Sequence, residues 1–447
     1  MKLETGNRRL ETGNRKLFRN IVSSFQFQVI LILLFFILTC YHLSFHLVSQ
    51  LYFQRACDYF RKEDYGLAAS RLRKAEKYQP NDYIIKKKSG KVYLKLGELN
   101  EKVKSSFLLV KKAKEYYAEA FRLNPLDAEA VYGLATADAR LEELYQCFHP
   151  GKKDSPYSPL SYFEKAVQLR PNGISYNYGL AGFLHKKEKS KELLTVIHKL
   201  AYIYPCAYHY LKKEDFWSDS VKTAYISGLM KADMEKISPR ETHTILSLIM
   251  TEEKQWPSAL FHCENALKYK SFLNLSNDYM KLGSLYLKNR QLEKAKTSFI
   301  RALNISRSRQ RDLERIYIAY KNDGFLEELC RFYQQAQSVI LFFKAEIMTV
   351  RCLIDMKQYE QAREILIALN RREPAAEAYY WLARIAEAEK DWDRMELAIQ
   401  KATVLDPENR HYHSKFSYAL RRQKKFEKAE KEAALASKPK SQIPNSK

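Results

Sequence analysis

Residues Ser276–Arg309 read SNDYMKLGSLYLKNRQLEKAKTSFIRALNISRSR. Tyr279, Leu282, Gly283 and Tyr286 recur at steps of three or four, so they share one face of a helix. Ala295, Phe299 and Ala302 do the same one helix later. Gly283, Ala295 and Ala302 are small, as the close approach of two helix axes demands. Tyr279, Tyr286 and Phe299 are large, as filling the gaps between them demands. Alone, the stretch predicts an amphipathic helical hairpin; recurrence would make it a repeat.

It recurs. Similar patterns begin at 276, 310, 343, 376 and 410, in steps of 34, 33, 33 and 34. Upstream, Tyr52, Ala56, Tyr59, Ala68, Leu72 and Ala75 fit the same frame. So do Gly90, Tyr93, Ala113, Tyr117 and Ala120, then Leu134, Ala135, Phe163 and Ala166, then Leu180, Ala181, Leu193 and Ile197. Pro171 and Pro205 are 34 residues apart, where a proline ends one hairpin and begins the connection to the next. This frame resembles the tetratricopeptide repeat (TPR). The resemblance implies an all-α fold, a helix–turn–helix solenoid of about ten units, because stacked hairpins bury a core that no single one can bury.

The expected organisation follows. Residues 1–19 form a basic, flexible N-terminal arm and residues 20–48 a transmembrane helix. N-terminal TPR units occupy 49–207, with insertions near 100–109 and 147–158. Residues 208–239 are a degenerate helical segment, in which Trp217, Tyr225 and Leu229 suggest helices but the signature is lost. C-terminal units fill 240–437, and 438–447 is a polar, disordered tail. Only 13 Gly and 13 Pro in 447 residues argue against a β-rich chain with many tight turns.

No Asp, Glu, Lys or Arg occurs from Asn20 to Gln54, and Val29–Tyr41 is almost purely apolar. A bilayer core needs roughly 20 such residues as helix. A long n-region and the lack of a small-x-small site after the apolar run oppose a cleaved signal peptide. Arg8, Arg9, Arg15, Lys16 and Arg19 flank the run upstream; Arg55, Arg61 and Lys62 flank it downstream. That bias predicts a cytoplasmic N-terminus and a solenoid outside the cytoplasm, periplasmic in a bacterium. Since no linker separates the apolar helix from the first unit, the junction is expected to be stiff.

The net charge is +24, from 76 Lys and Arg against 52 Asp and Glu. A basic balance invites nucleic acid or anionic membrane as partner, but no nucleic-acid fold signature accompanies it, and that reading ranks last. The seven cysteines form no C-x-x-C pair, so neither a zinc site nor a redox motif is implied. G-x-S-x-G, the P-loop, G-x-G-x-x-G and H-E-x-x-H are all missing. The sequence therefore implies no catalytic residue, metal or cofactor, and a non-enzymatic role.

Surface remains. In TPR proteins the first helices of successive units line a concave groove for peptides or partner helices. Carried over position by position, the groove here comprises Lys288, Lys321, Asn322, Arg351, Tyr380, Arg384, His411 and Arg421. This basic set with an aromatic suits an acidic or C-terminal carboxylate ligand. The family's chaperone-binding clamp needs a fixed Lys/Asn/Arg set that is not matched here. A second basic run lies in the units nearest the apolar helix, where Lys86, Lys87, Lys88, Lys91, Lys111 and Lys112 are expected to touch anionic lipid headgroups. The overall expectation is a single-pass scaffold that binds protein partners, similar to anchored TPR proteins of bacterial envelope and polysaccharide assembly. The alternative is a cytoplasm-facing adaptor in protein traffic or chaperone recruitment.

Overall fold

Helix-forming residues at a 34-residue rhythm should pair as hairpins, and they do. The computed structural model describes residues 4–150, 155–269, 275–335 and 342–437. Every regular element among them is helical. The chain divides into two units, Met1–Ala232 and Asp233–Lys447.

The first unit contains four hairpins: α1 (Glu4–Arg61) with α2 (Tyr65–Tyr78), α3 (Tyr83–Glu98) with α4 (Val103–Leu123), α5 (Ala128–Phe148) with α6 (Pro159–Leu169), and α7 (Ile174–Lys186) with α8 (Ser190–Ile203). A one-turn helix, α9 (Tyr208–Leu211), follows, and then α10 (Asp219–Met234), which runs past the unit boundary. The second unit contains six hairpins: α11 (Pro239–Glu252) with α12 (Trp256–Lys268), α13 (Leu275–Lys288) with α14 (Leu292–Ile305), α15 (Arg309–Asn322) with α16 (Leu326–Gln335), α17 (Phe342–Asp355) with α18 (Tyr359–Arg372), α19 (Ala376–Ala388) with α20 (Trp392–Leu405), and α21 (Arg410–Arg422) with α22 (Phe426–Ser437).

Local chemistry sets the boundaries. Asp64, Asp82, Asp127, Asp391 and Asn409 each accept hydrogen bonds from backbone N–H groups one turn into the following helix, which satisfies donors the helix leaves free. The turn inside the hairpins repeats as well. Left-handed residues stand at 290, 324, 357, 390 and 424, steps of 34, 33, 33 and 34. Only at 324 is the residue glycine, which adopts that conformation without steric cost; Arg290, Lys357, Lys390 and Lys424 adopt it as L-residues.

Small residues meet large ones in the core. A Cβ added to Gly283 would lie 2.5 Å from the Phe299 ring, so the glycine is what lets α13 and α14 close. Ala295, Phe299 and Ala302 are fully buried, as the helical spacing predicts.

Three sequence expectations are refined. Residues 4–19, read as a flexible arm, continue α1 as helix; their Leu, Glu, Arg and Lys residues favour helix and outnumber Gly6 and Gly13. Of the extra residues near 100–109, those from Val103 on lengthen α4 to 21 residues, while 100–102 connect it to α3. α5 is equally long and carries Cys147 and Phe148 of the 147–158 insertion, and the two added segments meet where Phe107 packs edge-on against Phe148 at 5.8 Å. Residues 151–154 of that insertion and the expected tail 438–447 lie outside the described residues.

The degenerate segment is ordered by aromatics. Tyr208, Trp217 and Tyr225 pack with ring centroids 5.6–6.0 Å apart, and the Tyr225 hydroxyl donates to the Pro205 carbonyl at 2.5 Å. Gly228 brings α10 onto α8: a Cβ there would sit 2.1 Å from the His198 carbonyl oxygen. α10 thus covers the last hairpin of the first unit, although its sequence has lost the repeat signature.

Candidate partner-binding groove

The first helices of three consecutive hairpins, α3, α5 and α7, enclose an open cavity of about 480 Å³. α3 contributes Lys91, Leu94, Lys95 and Glu98, α5 contributes Glu129, Tyr132, Gly133 and Thr136, and α7 contributes Ile174, Ser175 and Tyr176. Tyr132 and Tyr176 form an aromatic wall, with centroids 5.3 Å apart. Burial raises the pKa of both phenols above 10, so both stay neutral hydrogen-bonding groups at any physiological pH.

Charge in this cavity is largely balanced. Lys95 Nζ meets Glu98 at 2.5 Å, and Glu129 takes Lys87 at 3.0 Å and Lys91 at 4.0 Å. Arg170, at the rim, is exposed. An aromatic and aliphatic floor with paired charges around it suits a peptide or helix with an apolar anchor. Periodicity identified these residues as helical but could not single them out, because Tyr132 and Tyr176 lie between the frame positions that mark the core.

The groove set predicted in the second unit has a different character. Lys288 bonds Asp323. Lys321 Nζ lies 2.8 Å from Asp355, and that bond leads the causes that raise its pKa above 10.5. Arg351 holds both Glu314 oxygens, at 2.6 and 2.8 Å, and its guanidinium lies 3.8 Å from the Tyr317 ring centre. Arg384 pairs with Glu387 at 3.2 Å, which also takes Lys415 at 2.9 Å. The Tyr380 hydroxyl is 2.9 Å from His411 Nε2, and its ring stacks on Tyr412. Burial, then Lys415 and Arg384, lower the His411 pKa from its ordinary 6.5, so at neutral pH this imidazole adds no positive charge. Asn322 and Arg421 are exposed. Four of the predicted cations therefore face carboxylates of this same chain. Lys288–Asp323 and Lys321–Asp355 connect first helices of adjacent hairpins, and an acidic ligand would have to displace them.

Part of the lysine run beside α1 is likewise engaged within the chain. Lys86 bonds Glu76 at 2.6 Å and also Glu119, with its side chain only 10% exposed; burial alone would depress its pKa, but the two carboxylates outweigh burial and raise it. Lys87 bonds Asp127 at 2.7 Å. Lys88 lies 3.8 Å over the Phe60 ring, and burial lowers its pKa. Lys91 faces Glu129, and Lys112 lies 4.6 Å over Tyr93. Of the six, Lys91 and Lys111 are exposed. Carboxylates 10 to 42 residues away hold Lys86 and Lys87, two of the six side chains expected at the headgroups. Among the described residues, no three His, Cys, Asp or Glu side chains cluster as metal ligands.

Tetratricopeptide-repeat family models match residues 279–309 and 350–410. No curated protein sequence matches the chain. Similar solved structures include MamA 41-end from Desulfovibrio magneticus RS-1, 21% identical with a TM-score of 0.26, covering 37% of this chain and 95% of that one. The P58(IPK) TPR domain is 15% identical with a TM-score of 0.24 over 84% and 98% of the two chains. Yeast Tom70 is 14% identical with a TM-score of 0.28 over 88% and 93%. Tetratricopeptide repeats therefore occupy residues 279–309 and 350–410 of a chain built from helical hairpins. Such repeats mark a scaffold for protein interaction.

Proposed function

We propose that the chain is a membrane-anchored scaffold that holds a protein partner against the α3/α5/α7 groove and performs no catalysis. The observation that carries this reading is the continuity of α1. One unbroken helix presents exposed apolar side chains from Val29 to Leu38 and then becomes the first helix of the first hairpin. Among the described residues, Gln28–Arg61 is the one segment long and apolar enough to cross a bilayer.

The groove supplies the docking half of the proposal. Its aromatic wall and paired charges favour a partner segment with an apolar anchor. A photo-crosslinking residue at Ile174, which lines the cavity and is 40% exposed, should capture a discrete partner in membranes. Tyr176→Ala should abolish the capture. Equal capture from Leu126, 79% exposed and outside the cavity, would refute the groove. Anchoring is tested by alkaline extraction of membranes: the full chain should stay with the lipid, and release into the supernatant would exclude a span.

We place the solenoid outside the cytoplasm on the flanking cation bias, and service to envelope or polysaccharide machinery on the family resemblance. Cys147 is exposed at the end of α5, whereas Cys330 and Cys352 are buried. A variant keeping Cys147 as its single cysteine should therefore react with a membrane-impermeant maleimide in intact cells. Labelling only after permeabilisation would favour the cytoplasm-facing adaptor for traffic or chaperone recruitment.

A further inference from the structure

The first hairpin shows where the bilayer must end. From Gln28 to Ser44 every α1 side chain is exposed. At Phe45 this changes: its ring packs 5.5 Å from Tyr78, the last residue of α2. One turn on, Ser49 is fully buried and its hydroxyl donates to the Ala75 carbonyl at 2.9 Å. Tyr52 then stacks on Tyr78 at 6.1 Å, and Lys74 Nζ lies 5.7 Å from the centre of the Tyr52 ring. α2 runs antiparallel to α1, so its C-terminal end points back toward the apolar segment and stops level with Phe45.

Length now constrains depth. A hydrocarbon core takes roughly 20 helical residues. Counted back from Ser44, the residue before the first contact with α2 at Phe45, such a span begins near Phe25. That leaves Arg19 about 9 Å further along a helix, within the headgroup layer on the far side. Sliding the span toward the C-terminus would drive Lys77 and the polar turn Gln79–Asp82 into hydrocarbon, where their polar groups would find no partner. Sliding it the other way would carry Arg19 and Lys16 inward. Tyr41, in edge contact with Phe45 at 4.6 Å, and Tyr78 fall where tyrosine is favoured, with apolar ring and polar hydroxyl at a membrane–water boundary. Lys77, exposed beside Tyr78, falls level with lipid phosphates.

We infer that the first hairpin rests directly on the bilayer: Tyr41 and Phe45 of α1, with Lys77, Tyr78 and the α2–α3 turn, form a collar at headgroup level. This rests on the membrane-anchor reading and adds which surface touches lipid and how deep the helix sits. It also places the headgroup contact nearer the span than the Lys86–Lys112 run, of which Lys86 and Lys87 are held by carboxylates of this chain.

Nitroxide labels test it in the full chain, reconstituted in phosphatidylcholine–phosphatidylglycerol vesicles after native cysteines are replaced. Labels go at exposed positions: Ile32→Cys in the span, Lys77→Cys at the collar, and Leu67→Cys at the opposite end of α2, about 15 Å from residue 77 along the helix. Relaxation by oxygen and by an aqueous nickel chelate reports depth. We expect Ile32 to be deep, Leu67 fully aqueous, and Lys77 several-fold less accessible to the chelate than Leu67. Equal chelate access at 77 and 67 with Ile32 still deep would overturn the collar alone. An aqueous Ile32 would overturn the anchor and the collar with it.

Discussion

Single positions in this chain are set by what stands across the hairpin. Leucine at 283 would drive its side chain into the Phe299 ring, which is itself fully buried. Overpacking of this kind costs about 1–3 kcal/mol, so Gly283→Leu should lower the unfolding midpoint, with amide exchange accelerated in α13 and α14. Gly324 is a different case. Its φ is +80° and nothing lies within 4 Å of an added Cβ. Gly324→Ala should cost about 1–2 kcal/mol through backbone strain alone, measurable as a lowered denaturant midpoint. A third position couples stability to pH. His243 and His262 are buried with their Nδ1 atoms 3.0 Å apart, and Asp233 lies 3.1 Å from His243 Nε2. Burial holds both imidazoles below the ordinary 6.5; His243 also feels Lys268, whereas Asp233 opposes the shift in both rings. The folded state therefore binds fewer protons than the unfolded state. Stability is complete above about pH 6.5 and is lost as pH falls through the folded-state values. The denaturant midpoint should drop between pH 7.5 and 5.5, and His262→Gln should flatten that dependence.

At the level of helices, ion pairs reach from one hairpin to the next. Lys86 joins α3 to Glu76 of α2 and Glu119 of α4, while Lys111 on α4 is exposed. Lys86→Ala strands two carboxylates beside a buried site and should destabilise by about 2–4 kcal/mol. Lys111→Ala should fall within about 0.5 kcal/mol of the wild type. Urea titrations of both variants check the contrast. The pattern that placed Lys86 on a basic run was legible in sequence; its direction was not. Ten lysines within 29 residues look like one charged face, yet a helix turns 100° per residue, and their partners include carboxylates on α2, α4 and α5. The same holds for Lys321 and Arg351, whose carboxylates are 34 and 37 residues away. The helices themselves were readable because each hairpin repeats its small and large residues on the same faces. Pro150, Gly151 and Pro156 mark the 147–158 insertion as a break after α5, whereas the extra residues near 100–109 carry no Gly or Pro to tell a loop from a longer α4.

For the whole molecule, repeat stability is a sum of units and nearest-neighbour contacts. Damage at Gly283 should therefore leave exchange protection of α3–α6 in the first unit unchanged. Uniform loss across both units would point to a single cooperative core instead. The sequence by itself determined the all-α class, the hairpin rhythm and the apolar helix running into the first hairpin, because helical periodicity and local packing are written within each 34-residue stretch. Tertiary structure alone decided which charges remain available, that Tyr132 and Tyr176 wall a cavity, and that α2 ends level with Phe45. Those outcomes depend on side chains brought together from helices tens of residues apart, where reach and burial choose the partner and no local spacing records the choice.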